Sequence, residues 1–143
     1  MPEYNAAFFN GLTAVVLALK KRYGEAAAID VMAEVFSARL KAVYDRLGFR
    51  KGSPEDFVRV VGANDEMLGL VVEFKIENGK IIYRFHTDPF PLLKGQVDSK
   101  MFDDSYIRFK VEYVLGNEWT YHTTKHLWKG DPFTEHVIEK TIS

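Results

Sequence analysis

The chain has 143 residues, with 19 Lys and Arg against 20 Asp and Glu, a formal net charge of −1, 47% hydrophobic residues, 14% aromatic residues and no cysteine. Balanced charge argues against a nucleic-acid groove or an anionic membrane surface, and the missing cysteines exclude thiolate nucleophiles and thiolate metal sites. The length suits one domain over residues 1–143, and the aromatic side chains suffice to build a core without disulfides.

Phe8, Leu12, Val15 and Leu19 recur at helical spacing and predict a helix over residues 4–22 with these four on its inner face. The apolar run from Leu12 to Leu19 follows Glu3 rather than Lys or Arg, so it is read as helix and not as an export signal. With no run near the ~20 apolar residues that a bilayer span requires, the expected location is the cytoplasm. Gly24 ends the first helix, and Glu25 opens a second in which Ile29, Met32, Phe36, Leu40, Val43 and Leu47 repeat until Arg46 and Gly48 signal the exit. Ser53, Pro54, Glu55 and Asp56 read as a cap, a first-position proline and an acidic first turn. They predict a short third helix around Phe57 to Val61, closed by Gly62, Asn64 and Gly69.

From Leu70 the period changes to two. Asn78-Gly79 accepts the positive φ angles of a type I′ turn, which predicts a hairpin pairing Glu73 with Arg84. That register sets Leu70, Val72, Phe74 and Ile76 on one apolar face with Ile81, Tyr83 and Phe85. Residues 88–99 hold two prolines and a glycine and must leave the sheet. Ile107, Phe109, Val111, Tyr113 and Leu115 alternate as in a strand, whereas Phe102, Tyr106, Phe109 and Tyr113 fit a helix, and periodicity alone leaves both open. Trp119–Trp128 and Phe133–Ile142 are predicted as a C-terminal hairpin joined by residues 129–132. Its expected register sets His126 opposite Glu135, His122 opposite Glu139 and Lys125 opposite His136.

Three constellations carry candidate chemistry. His86 and Asp88 end the second predicted strand, where a carboxylate beside an imidazole orients a general base; they are the catalytic candidates, against the plainer reading of Asp88-Pro89 as a turn starter. His122 and His126 share a strand face at metal-ligand spacing, but His136 projects from the opposite face, so no metal centre is expected and this pair is kept only as an alternative. Phe36, Phe74, Tyr83, Phe85 and Phe90 are the candidate lining of an apolar ligand pocket between helices and sheet.

Four stretches carry a family resemblance. ALKKRYGEAAAIDVMAEVF at residues 18–36, HTDPFPLL at 86–93, Thr124 to Lys129, and GDPFTEHVIEK at 130–140 resemble the family of L-2-amino-thiazoline-4-carboxylic acid hydrolase, within the group that includes 4-vinyl reductase (4VR) small-molecule-binding domains. The resemblance implies a helix at about residues 99–113 and a helical layer on an antiparallel sheet with an apolar pocket between them. Asp88 and Thr134 stand where the family pattern has cysteines, so its thiol chemistry is not expected here.

The expectations are therefore an α+β domain that binds an apolar or aromatic small molecule, without a cofactor, nucleic-acid partner or membrane partner, and as a homodimer. The alternative is a cofactor-independent hydrolase of a small cyclic amide-like substrate acting through Asp88 and His86.

Overall fold

The computed structural model describes residues 4–141. Helix α1 spans Ala6–Tyr23 and α2 spans Glu25–Leu47. Gly24 alone joins them; its φ of 92° suits a residue without a Cβ, and its N–H caps α1 at the Lys20 carbonyl. The buried face of α2 is the predicted one from Ile29 to Val43, whereas Leu47 is exposed. In α1 the face is turned by one residue: Phe9, Thr13 and Val16 are buried and Val15 is exposed. Thr13 hid this from an apolar pattern, because its hydroxyl is satisfied internally by donating to the Phe9 carbonyl at 2.9 Å.

Helix α3 spans Pro54–Met67, longer than the predicted Phe57 to Val61. Ser53 accepts from the Asp56 N–H at its start, as its sequence implied. Gly62 does not end the helix. A Cβ at this position would lie 3.3 Å from the Phe74 ring, so the glycine admits the strand below it. Helix α4 spans Ser99–Leu115, capped by the Asp98 side chain on the Met101 N–H, which resolves the ambiguous segment as helix.

Strands β1 (Val72–Glu77), β2 (Lys80–Phe85), β3 (Trp119–Lys125) and β4 (Thr134–Lys140) form one antiparallel sheet in the order β1-β2-β4-β3. This is the expected α+β class. The first hairpin has the predicted register, Glu73 facing Arg84, and Asn78 and Gly79 adopt φ of 52° and 75°. Ile81, Tyr83 and Phe85 are buried beneath the helices, while Ile76 on edge strand β1 is exposed.

The second hairpin departs from its expected register. His122 faces Val137 and Thr123 faces His136, and a bulge sets Lys125 opposite Glu135. His126 is not a strand residue: its N–H donates to the Asp131 carboxylate at 2.8 Å and its Nδ1 accepts from the Trp128 N–H at 3.0 Å, starting a 3₁₀ turn at Leu127–Lys129. The connection thus takes in residues that alternation had assigned to the strands. Ile142, placed at the end of the last predicted strand, lies outside the described residues.

No described helix is long and apolar enough to cross a membrane. In the core, His136 is fully buried among the rings of Tyr83, Phe85 and Tyr121, with Nδ1 2.9 Å from the Thr123 hydroxyl and Nε2 without a partner. Burial lowers its pKa to about 4 from an ordinary 6.5, with nearby Asp103 opposing the shift. The unfolded chain therefore binds more protons than the folded one between these values. The His136 contribution is complete above pH 6.5 and is lost as pH falls toward 4, about 3 kcal/mol in all.

Urea unfolding across this range should show that loss, and His136→Gln should flatten the slope while lowering the stability at pH 7. In the first hairpin, Gly79→Val should cost about 1–3 kcal/mol by placing a β-branched residue at positive φ. Asn78→Gly should be nearly neutral. Phe85→Ala should cost about 3–5 kcal/mol by opening a cavity, well above the loss in Arg84→Ala.

Candidate functional site

Helices α2, α3 and α4 converge with β2 on a buried polar cluster. Lys110 from α4, Asp65 from α3 and Tyr83 from β2 are 3%, 1% and 0% exposed. The Tyr83 hydroxyl donates to Asp65 Oδ2, and the Lys110 ammonium donates to the Tyr83 oxygen at 3.1 Å and meets Asp65 Oδ1 at 3.4 Å. The ammonium also lies 5.4–5.6 Å from the ring centres of Tyr83, Phe85 and Tyr106, so aromatic faces complete its surroundings. Burial raises the Asp65 pKa against the pull of Lys110 and lowers that of Lys110 against the pull of Asp65. Both shifts favour the neutral form, as expected for charges held out of water.

Above this cluster lies a small cavity of about 50 Å³. Phe8 and Phe9 of α1, Phe36 of α2, Phe85 of β2 and Phe90 supply its aromatic walls, and Arg39, Asn64, Asp65 and Lys110 supply its polar end. Phe90 is held in place by edge contacts with Phe9, Phe36 and Phe102. The N-terminal end of α1 is tied over the cavity by the Asn5 N–H on the Leu68 carbonyl, 3.1 Å, and by the Tyr4 hydroxyl on the Pro89 carbonyl, 2.7 Å.

Of the five candidate pocket residues, Phe36, Phe85 and Phe90 line this cavity. Tyr83 serves it from below through its hydroxyl, and Phe74 stacks on Tyr83 at 4.5 Å without reaching the cavity. Arg39, Asp65 and Lys110 were missed, since charged residues on amphipathic helices are ordinarily read as facing water. One signal was available. Lys110 continues the four-residue spacing of Phe102 and Tyr106, a lysine on an aromatic stripe.

His86 and Asp88 take different partners. His86 Nε2 lies 2.8 Å from Glu73 Oε1 on the exposed sheet face. Asp88 accepts from the Phe90 N–H at 2.9 Å and from the Trp128 indole N–H at 2.7 Å, fixing the turn that carries Phe90 into the core. Asp88 and Thr134 line one void of about 20 Å³ with Asp103, Tyr106 and His126.

His126 Nδ1 accepts a backbone N–H, so Nε2 carries the proton and donates to Asp103 Oδ2 at 2.8 Å. Both ring nitrogens are therefore engaged. His122 stays exposed on β3, 3.9 Å from Glu139, and the shared strand face expected for His122 and His126 is not formed. Among the described residues no three His, Asp or Glu side chains are grouped to hold a metal ion.

A larger surface cleft of about 390 Å³ runs between α4 and β3. Its charges largely answer one another: Arg108 pairs with Asp104 at 2.8 Å, and the Tyr121 hydroxyl donates to the same carboxylate at 2.7 Å. It reads as a solvated groove, whereas the aromatic cavity brings apolar walls and convergent polar groups together.

The fold is that of a known class. An H-NOX protein from S. oneidensis, solved in the Fe(II)NO ligation state, superposes with a TM-score of 0.55 at 11% sequence identity, over 92% of this chain and 74% of its own. The chain is thus an α+β domain with an H-NOX-like fold. No known protein-family description and no curated protein matches the sequence, so the resemblance to the thiazoline-carboxylate hydrolase and 4VR group has no support beyond the shared α+β architecture.

Breaking the buried cluster should be costly. Lys110→Met should destabilise the protein by about 3–5 kcal/mol by leaving Asp65 without its cation. The double variant Lys110→Met with Asp65→Leu should recover much of that loss in urea unfolding, as a coupled pair requires.

Proposed function

We propose that this protein is a small-molecule-binding domain whose site is the aromatic cavity between the helices and β2. The observation that carries the reading is the placement of Arg39, Asp65 and Lys110 at the end of a phenylalanine-lined cavity. Apolar walls supply affinity and a few fixed polar groups supply orientation. The shared fold with an H-NOX protein is consistent with ligand binding in this class. None of the four histidines lines the cavity and the chain has no cysteine, so no imidazole or thiolate is placed there to hold an iron like that of the neighbour.

A cavity of about 50 Å³ is far smaller than the ~300 Å³ typical of ligand sites, so binding requires the walls to part. Phe8 at the rim is only half-buried, and two hydrogen bonds tether the start of α1 above it. Displacement of this end opens the cavity while Lys110, Asp65 and Tyr83 remain fixed below.

The hydrolytic alternative through Asp88 and His86 draws on the small void that gathers Asp88, Asp103, His126 and Tyr106. The partners of His86 weigh against it, because Glu73 occupies the imidazole on another face. Asp88→Asn would abolish turnover in that reading and leave ligand binding nearly intact in the favoured one. The homodimer expected from the sequence belongs to the same proposal, and light scattering must read twice the 16.4 kDa chain mass for it to hold.

Native mass spectrometry of freshly purified protein should reveal a co-purifying small molecule. In NMR titrations, small aromatic probes should shift the ring resonances of Phe36, Phe85 and Phe90. Leu40→Phe, which fills the cavity wall, should weaken those probes at least tenfold. Shifts confined to the α4–β3 cleft would overturn the assignment.

A further inference from the structure

The cavity carries an excess of positive charge. Lys110 and Asp65 answer each other as one cation and one carboxylate. Arg39, half-buried at the same end, forms no ion pair with any carboxylate among the described residues. It donates from Nη1 to the Asn64 side-chain oxygen at 3.3 Å, and its guanidinium stands 5.2 Å from the centre of the Phe8 ring at the cavity rim. An unpaired guanidinium in the lining of a largely apolar cavity lacks an acceptor carrying negative charge.

We infer that the cavity takes an amphipathic anion, with a carboxylate on Arg39 and an aromatic or short aliphatic body between Phe8, Phe36 and Phe90. The inference rests on the proposed binding role of this cavity and specifies its ligand. A guanidinium presents a planar pair of N–H donors that matches a carboxylate, and a single unpaired arginine balances a single charge. A doubly charged phosphate would require further donors. A cationic ligand would meet Arg39 and Lys110 with only Asp65 to oppose them. Arg39 is half-buried, so its charge is held partly out of water, where an anion gains most from it.

The test pairs acids with neutral isosteres: phenylacetate against phenylacetamide, and hexanoate against hexanamide, titrated into the full chain by NMR and calorimetry. Each acid should shift the Phe36 and Phe90 rings and the Arg39 side chain, and should bind at least about tenfold tighter than its amide. Arg39→Met should bring the affinity of each acid down to that of its amide in the same variant, and Arg39→Lys should retain part of the preference. Equal affinities of acid and amide at the same residues, or an unchanged preference in Arg39→Met, would overturn the anion assignment and leave the cavity as a neutral-ligand site. If neither member of either pair reaches these rings, the binding role of the cavity falls with it.

Discussion

An ammonium, a carboxyl group and a phenol are stable together in the interior only if each stays within reach of the others. Lys110, Asp65 and Tyr83 come from α4, α3 and β2, so that requirement fixes how two helices lie on the sheet. Moving any one element by a small distance would leave a desolvated polar group without its partner, a penalty that apolar packing does not impose so sharply. The aromatic rings of Tyr83, Phe85 and Tyr106 enclose the ammonium and are positioned by the same contact. The floor of the cavity is thus rigid for the same reason that the fold is specified.

The ceiling is made differently. Phe8 and Phe9 come from α1, whose inner face buries only Phe9, Thr13 and Val16 and whose start is fastened by two hydrogen bonds. A polar floor of fixed geometry lies under an aromatic roof with few anchors; in the proposed binding role the floor would orient a ligand and the roof would admit it.

Much of this architecture was legible in the sequence where a local rule acts alone. Asn78-Gly79 specified both turn and register, and the apolar stripe of α2 specified its buried face. Local rules failed where a tertiary contact overrode them. Gly62 looked like a helix stop because the Phe74 ring that explains it comes from a strand. His126 looked like a strand residue because its alternation with His122 is correct, whereas its ring is committed to capping a 3₁₀ turn and to Asp103. The same reason governs the site. That Phe36, Phe85 and Phe90 line the cavity was readable because aromatics on an inner face declare themselves, whereas Arg39, Asp65 and Lys110 look like ordinary helix surface until three separate elements are brought together.

The strand order has a consequence for how the molecule assembles. Each hairpin closes within a short stretch of chain, but the central β2–β4 ladder joins Ile81 to Ile138 and Phe85 to Thr134, across the whole of α4. Loop closure over that distance costs entropy before any pairing rewards it. Within the sheet the two hairpins are therefore the local pairings, and joining them edge to edge is the closure that costs the most chain entropy. Until then β2 and β4 each expose an unpaired backbone edge, so the protein is most vulnerable to mispairing with another chain during synthesis and refolding, before its own halves have met.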